Sequence, residues 1–307
     1  MIHEDIDYHG LCNQGSTCYL NSVLQVLFMT KDFREAVESK TKEEDTVDFM
    51  LKRLFTNLNE NKTEPKEILS ILGIENVDKQ CDAAEYFEKI LSMVKPEVSK
   101  FFKGQLTYIT SCFKKHVTSE ETGPFWTIPL SIADPLDYYR TYSVKDGFKE
   151  FFKSSNISEE NQMYCDECQN KSDATIECRM EHYPDILTLL LKRFEFHFPS
   201  VDVPYTLQTE EYEYELYAVV NHFGGSTSGH YTAKIKSFQN DDWYDFNDSC
   251  VTKLNPQPNS TLTESSQTAY LLVYRKSQEN HTNIKSQVSA REGVVTEARA
   301  HNETKCG

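Results

Sequence analysis

The chain has 307 residues and a mass of 35.6 kDa, enough for one large domain or two ordinary ones. Its 48 acidic and 32 basic side chains give a formal net charge of −16, which argues against nucleic-acid binding, because affinity for phosphates depends on Lys and Arg. Hydrophobic residues make up 38% of the sequence, but no apolar run approaches the roughly 18 residues of a membrane span. We therefore expect a globular protein with no nucleic acid and no membrane among its partners.

Cysteine usage and the N-terminus indicate the compartment. The nine cysteines form an odd set at irregular spacing, which argues against a small disulfide-stapled secreted domain. Residues Met1–Asp5 lack the basic and apolar parts of a signal peptide. We expect a cytoplasmic or nuclear protein whose thiols are free, metal-bound or catalytic.

The first hundred residues predict helices. Apolar residues from Val47 to Leu58 recur at i, i+3, i+4 and i+7, which is typical of one buried helix face. Pro65 begins a shorter helix that ends near Gly73. A third apolar stripe runs from Ala84 to Val94 and ends before Pro96.

From Phe101 onward the chain predicts strands, interrupted by one helix over Val144–Lys153. The predicted strands are Thr127–Ile132, Ala174–His182, Asp185–Phe198, Tyr212–Phe223, Tyr231–Phe238 and Ala269–Arg275. Helices followed by strands predict an α+β fold with a largely antiparallel sheet. After Lys276 the chain is polar and aperiodic, so residues 277–307 are predicted to be a disordered tail.

Cys18 is the first candidate for chemistry. It follows the turn Gly15–Thr17 and precedes apolar residues at helical spacing, which predicts a position in the first turn of a helix. Unpaired N–H groups and the positive dipole end there lower a thiol pKa. Asn13 could donate its side-chain amide to an oxyanion, together with the Cys18 backbone N–H. A buried structural thiol is the alternative, and it is our interpretation of Cys12 and Cys81.

A base for this thiol is predicted far along the chain. His230 begins a strand after the glycine-rich loop Phe223–Gly229, which could close over a bound chain. The next strand of the hairpin leads to Asn247 and Asp248. Either residue could accept a hydrogen bond from Nδ1–H of His230 and leave Nε2 to take the thiol proton. The structural alternative, a packed or surface histidine, is our interpretation of His222.

These two ends of the chain closely resemble the Cys box and the His box of the ubiquitin-specific proteases. The segments that carry the resemblance, in family order, are Gly10–Ser22, Gln80–Tyr86, Leu191–Phe194, Tyr217–His222, Gly229–Ala233, Trp243–Asp248 and Val251–Thr252. The resemblance covers about Tyr8–Lys276 and implies a catalytic domain over residues 1–276. It implies a papain-like cysteine protease fold with a helical thumb, an antiparallel β palm and β fingers.

The resemblance implies a deubiquitinase that hydrolyses the isopeptide or peptide bond at the C-terminal glycine of ubiquitin. Cys18 would be the nucleophile, His230 the base and Asn13 the oxyanion donor. Asn247 would orient the imidazole, with Asp248 as the alternative. The Cys18–His230 pair would rest either as thiol and imidazole or as thiolate and imidazolium.

The resemblance also implies a substrate-binding set: Asp82, Glu85, Gln14, Gly229 and Tyr231. Asp82 and Glu85 would face the basic ubiquitin tail. The same pair also fits the start of a helix, and Asp82 could cap that helix with one oxygen and meet the tail with the other. The implied partners are ubiquitin and ubiquitinated proteins, and we expect a monomer.

The sequence departs from the family at the fingertips. Family members often bind one structural zinc through two Cys-x-x-Cys pairs. Here Cys165–Cys168 is intact, whereas Cys112 has Lys115 in the place of its partner and His116 beside it. A structural zinc needs four ligands, so we predict no required cofactor. Cys112, His116, Cys165 and Cys168 stay as a candidate zinc set, with a relic turn as the alternative.

A second departure is a short connection, because only eight residues separate Phe194 from Val203. A long hairpin is usual there, so we predict shortened fingers or a shortened blocking loop. Three alternatives to the deubiquitinase stay open: a catalytically weak ubiquitin-binding pseudoenzyme, a protease for a ubiquitin-like modifier, and a zinc-dependent adaptor.

Overall fold

The computed structural model describes residues 7–40, 46–131, 142–158, 161–192, 200–225, 228–258 and 263–277. The predicted tail lies outside the described residues except for Ser277, and so do Ile132 and the segment 193–198 of the predicted strands. Among the helices described, none is both long and apolar enough to cross a membrane.

The N-terminal third is helical, as predicted. The helices are α1 (Cys18–Met29), α2 (Lys31–Lys40), α3 (Val47–Glu60), α4 (Lys66–Ile71), α5 (Ala83–Met93), α6 (Pro96–Ser99) and, later in the chain, α7 (Val144–Phe151). A short 3-10 turn follows α6 at Lys100–Phe102. Every residue of α1 is buried, so this helix forms the centre of the helical part and its first residue is held rigidly.

The remainder is mainly strands, in four sheets. The strands are β1 (Gly104–Cys112), β2 (Val117–Phe125), β3 (Ile128–Ser131), β4 (Tyr142–Ser143), β5 (Ser155–Ile157), β6 (Met163–Cys165), β7 (Asn170–Ser172), β8 (Ala174–His182), β9 (Ile186–Lys192), β10 (Val201–Pro204), β11 (Thr206–Gln208), β12 (Glu213–Gly224), β13 (Gly229–Lys236), β14 (Trp243–Asn247), β15 (Cys250–Lys253), β16 (Thr263–Ser266) and β17 (Ala269–Lys276).

The largest sheet has the order β15-β14-β13-β12-β17-β9-β3, with β11 paired to β12. A four-stranded sheet has the order β2-β1-β8-β5, a three-stranded sheet the order β16-β10-β4, and β6 pairs with β7. Within the described residues only β3–β9 and β4–β10 pair in parallel. The α+β fold with a largely antiparallel sheet is therefore confirmed.

The large sheet has a hydrophobic core on each face. Successive side chains of a strand point to opposite faces, and on β12 the neighbours Val219 and Val220 belong to different cores. Val220 packs in the core that contains α1, α3 and α5. Val219 packs in the core that contains α7 and β10. Because both faces are covered, the strands that approach the start of α1 are fixed in position.

One contact attaches the segment before α1 to the end of β14. The Leu11 N–H donates to the carbonyl oxygen of Asp248 at 2.9 Å. Gly10 packs so closely here that an added Cβ would lie 2.3 Å from the same oxygen. Asp248 itself has a left-handed φ of 48°, which aspartate tolerates better than most residues. This contact places the two candidate boxes side by side.

The aromatic contacts of the helical core predict a stability effect. Phe102 is fully buried, and its ring centroid lies 5.8 Å from that of Phe33 and 5.4 Å from that of Phe87. We predict that Phe102→Ala lowers the free energy of unfolding in urea by about 3–5 kcal/mol, because it leaves a cavity. Phe223 is 48% exposed, and Phe223→Ala is the control, with an expected change below about 0.5 kcal/mol. Equal losses in the free energy of unfolding for the two variants would contradict the central position of Phe102 in the core.

Candidate active site

Cys18 is the first residue of α1, as the sequence predicts, and its side chain is only 3% exposed. The preceding Thr17 is the N-cap residue, but its hydroxyl does not cap the helix. That hydroxyl donates to Asn13 Oδ1 at 3.1 Å and accepts from the Gln14 N–H at 3.0 Å. The capping residue therefore shapes the loop in front of the cysteine.

The pKa of the Cys18 thiol is raised above its ordinary value, chiefly because burial disfavours the thiolate. The Tyr231 backbone N–H donates to the sulfur and opposes the rise, whereas the negative charge of Asp248 adds to it. The predicted lowering by the helix start is wrong for this site, because desolvation outweighs it. Of the two resting states considered from the sequence, the neutral thiol is therefore favoured, and it needs a base.

His230 begins β13 and Asn247 ends β14, as predicted for a hairpin. Nε2 of His230 lies 2.7 Å from Oδ1 of Asn247. Because this amide oxygen can only accept, Nε2 carries the proton and Nδ1 is left to act as the base. This corrects the predicted use of the ring nitrogens. The pairing of β13 with β14 ends at Ala233 and Phe246, so Asn247 lies beyond the paired region, where the distal Nε2 reaches it.

Asp248 has different partners from those predicted. Its Oδ2 accepts from Asn13 Nδ2 at 2.9 Å and its Oδ1 accepts from Asn21 Nδ2 at 2.8 Å. The left-handed backbone of Asp248 turns the carboxylate toward the segment around Cys18. The carboxylate therefore supports Asn13 instead of orienting the imidazole of His230.

Asn13 is exposed, and its amide is held from both ends. Its Oδ1 accepts from the backbone N–H groups of Gly15 at 3.2 Å and Thr17 at 3.0 Å. One Nδ2 proton is used by Asp248. A primary amide has two N–H donors, so the second is available for an oxyanion beside the sulfur. The amide is thus oriented before any substrate binds.

Asp82 caps α5, as the sequence predicts. Its Oδ1 accepts from the backbone N–H groups of Ala84 at 2.7 Å and Glu85 at 3.1 Å. Its Oδ2 accepts from the hydroxyl of Tyr270. The Glu85 side chain is exposed on the first turn of α5.

Tyr231 and Gly229 lie where β13 begins. Tyr231 is 3% exposed, and its ring centroid lies 4.5 Å from that of His222, its cross-strand neighbour on β12. A Cβ at Gly229 would lie 2.4 Å from His222 Nε2, so only glycine fits there. Burial lowers the pKa of His222, which favours the neutral ring. Neither His222 nor Tyr270 is predicted near the site from the sequence, although the register of β12 against β13 could have identified His222.

Cys112, His116, Cys165 and Cys168 converge in space, with all four ligand atoms within 4.8 Å of one another. The Sγ atoms of Cys112 and Cys168 are 3.9 Å apart, and His116 Nδ1 lies 3.4 Å from Cys168 Sγ and 3.8 Å from Cys165 Sγ. Zn–S bonds of about 2.3 Å and Zn–N bonds of about 2.0 Å give tetrahedral edges of about 3.5–3.8 Å. The four residues therefore fit a structural zinc ion.

The sequence model of the family described as ubiquitin carboxyl-terminal hydrolase matches residues 9–274. Ubiquitin carboxyl-terminal hydrolase 47 of Mus musculus is 26% identical over 376 aligned residues, which cover 87% of this chain and 27% of that protein. Ubiquitin carboxyl-terminal hydrolase 48 is 28% identical in Danio rerio (91% of this chain, 32% of that protein) and 29% identical in Gallus gallus (87% and 32%).

The chain spans about a third of the length of these curated relatives, or less. The 376-residue alignment is longer than the whole chain of 307 residues, so that relative carries extra residues inside the matched region. The matched range spans Cys18, His230 and Asn247, and the last two meet at the ends of β13 and β14. The chain belongs to the ubiquitin carboxyl-terminal hydrolase family.

Proposed function

We propose that this chain is a cysteine-type deubiquitinase that hydrolyses the isopeptide or peptide bond after the C-terminal glycine of ubiquitin. One observation carries the proposal: Nε2 of His230 lies 2.7 Å from Oδ1 of Asn247, and the next residue, Asp248, binds the Asn13 amide at 2.9 Å in the segment that leads to Cys18 at the start of α1. A thiol, an imidazole and an orienting amide are the minimal set for thiol-dependent acyl transfer. The names of the curated relatives support the same reaction.

The reaction follows from the orientation of the imidazole. Nδ1 of His230 removes the proton from Cys18 as the sulfur attacks the glycine carbonyl, and Asn247 holds the resulting imidazolium through Nε2–H. The second Nδ2 proton of Asn13 and the Cys18 N–H stabilise the oxyanion. The imidazolium then protonates the leaving lysine amine. Finally, water, activated by the neutral imidazole, hydrolyses the thioester and regenerates the thiol.

The proposed substrate path uses the fold as thumb, palm and fingers. The helical part corresponds to the thumb, the large sheet to the palm, and the four-stranded sheet with β6 and β7 to shortened fingers. The ubiquitin tail would lie between α5 and the palm, near Asp82, Glu85 and Tyr231, and would reach Cys18 beside Gln14 and Gly229. A monomer contains every group that this mechanism uses. The free thiols among the described residues are typical of the cytoplasm or nucleus.

We also infer a structural zinc ion, although the sequence alone favoured no cofactor. Cys112, Cys165 and Cys168 would bind it as thiolates, and His116 Nδ1 would supply the fourth ligand that Lys115 cannot. The ion would join the turn after β1 to the turn between β6 and β7. Its contribution would be to folding and not to the reaction.

The nucleophile is tested with a ubiquitin probe that carries a C-terminal electrophile. We predict an adduct with the wild type and none with Cys18→Ala, and a loss of at least about a thousandfold in hydrolysis of a ubiquitin C-terminal reporter. Cys12→Ala is the control, and it should keep both activities. Absence of a wild-type adduct would favour the pseudoenzyme, and preference for a ubiquitin-like probe would favour a different modifier.

The separate roles of Asn247 and Asp248 are tested by double-mutant cycles. Asp248→Asn keeps a residue that tolerates the left-handed backbone but loses one acceptor for the Asn13 amide. We predict that Asp248→Asn lowers kcat when it is introduced into the wild-type protein. In the Asn13→Ala protein, the same substitution should add less than about twofold to the loss of kcat. The loss of kcat from Asn247→Ala should multiply with the loss from Asn13→Ala, because Asn247 acts on the imidazole of His230. Full additivity of the Asp248 and Asn13 losses would contradict the assignment, provided that each variant keeps its melting temperature.

The zinc ion is tested by elemental analysis and thermal unfolding. We predict one zinc per chain in the wild type, a melting temperature that falls in chelator, and loss of both properties in His116→Ala. His116→Gln, which cannot replace the imidazole well, should behave like His116→Ala. Cys250 is an exposed thiol outside the cluster, so Cys250→Ser should retain zinc. A metal-free wild type with unchanged stability in chelator would remove the proposal.

A further inference from the structure

Two buried tyrosines of the large sheet hold the start of α5. The hydroxyl of Tyr270 on β17 donates to Asp82 Oδ2, and Tyr231 on β13 belongs to the same hydrophobic core as Ala83, the first residue of α5. Tyr270 is 2% exposed and Tyr231 is 3% exposed. Their rings meet edge to face, with centroids 5.9 Å apart. Together they form one unit, which we call the tyrosine clamp.

The clamp restricts the Asp82 carboxylate. Oδ1 is fixed by the two backbone N–H groups of the helix start, which leaves Oδ2 as the oxygen that can reach another group. The hydroxyl of Tyr270 fixes the orientation of Oδ2. A carboxylate oxygen has two acceptor sites, so one donor still leaves room for a second. Burial and the adjacent carboxylate raise the pKa of Tyr270, so its hydroxyl stays a donor.

The same clamp reaches the nucleophile. Cys18 and Tyr231 belong to the same hydrophobic core, and β13, which carries Tyr231, packs against α1. The α5 carboxylate and the thiol are therefore attached to neighbouring points of the same sheet, and the distance between them is fixed by β13 and β17, which flank β12.

We propose that Tyr270 is a positioning residue: its hydroxyl holds the Asp82 carboxylate in the orientation that receives a basic side chain of the bound ubiquitin tail. The inference rests on the proposed function, since it assigns Asp82 to the tail of that substrate. Asp82 caps α5 and is not among the groups that the proposed mechanism uses at the reacting carbonyl, so it would contact the tail equally in the ground state and in the transition state. Uniform binding of this kind changes KM and leaves kcat unchanged.

The test is Tyr270→Phe, which keeps the buried ring and removes the hydroxyl. We expect KM for a ubiquitin C-terminal reporter to rise about fivefold to tenfold, with kcat within about twofold of the wild type. In a Cys18→Ala background, the Kd for ubiquitin should rise by the same factor. With a ubiquitin whose basic tail residues are replaced by alanine, Tyr270→Phe and the wild type should have the same KM and the same Kd.

Tyr274→Phe is the matched control. Tyr274 is also on β17 and fully buried, but its hydroxyl donates to the Pro204 carbonyl at 2.9 Å. Its substitution should lower the melting temperature and leave KM and Kd unchanged. Unchanged or tighter ubiquitin binding by Tyr270→Phe would overturn the inference. It would also be overturned if Tyr270→Phe weakened binding of the alanine-tail ubiquitin by the same factor as binding of unmodified ubiquitin. Failure of the wild type itself to bind or cleave ubiquitin would instead overturn the proposed function.

Discussion

The active-site arrangement depends on one junction, between the turn that follows β14 and the segment that leads into α1. Asp248 makes this junction with three groups: its carbonyl accepts from the Leu11 N–H, and its carboxylate accepts from Asn13 and Asn21. These partners lie more than 200 residues away in the sequence. Gly10 permits the close approach, because an added Cβ would lie 2.3 Å from the Asp248 carbonyl oxygen. The junction adds polar contacts to the packing of α1 against β13 and β14, and so it fixes the segment before Cys18 relative to the strands that carry His230 and Asn247.

The neutral and the charged polar side chains of the site contact different groups. A neutral amide, Asn247, orients His230, whereas the carboxylate of Asp248 orients the amide of Asn13. An amide beside the imidazole fixes the ring without the negative charge that would stabilise the imidazolium at rest. Burial likewise disfavours the thiolate of Cys18. In the proposed mechanism, the thiolate forms as the substrate reacts, and Asn13 stabilises the oxyanion.

Local signals in the sequence predict much of this fold. The apolar periodicity of α3 and α5, the Asp82 cap and the β13–β14 hairpin depend on neighbouring residues, and they are confirmed. The sequence pattern does not predict α2, because this polar helix buries few side chains, namely Phe33, Ala36 and Val37. It also missed the roles that depend on distant partners: the nitrogen of His230 that meets Asn247, the amides held by Asp248 and the hydroxyl that meets Asp82. His116 was not predicted firmly as a zinc ligand, because it is offset by one position from the Cys-x-x-Cys pattern. Only the folded turns bring it to the three cysteines.

The most direct test of the central claim is a crystal structure of the wild-type protein joined covalently to ubiquitin through a C-terminal electrophile. The proposed mechanism requires a bond to the Cys18 sulfur, with Nδ1 of His230 within hydrogen-bonding distance of the reacting groups and Nε2 bonded to Asn247 Oδ1. It also predicts the Asn13 amide between the carboxylate of Asp248 and the carbonyl-derived oxygen. A bond to another cysteine, or a His230 ring turned away from Cys18 in the complex, would contradict it.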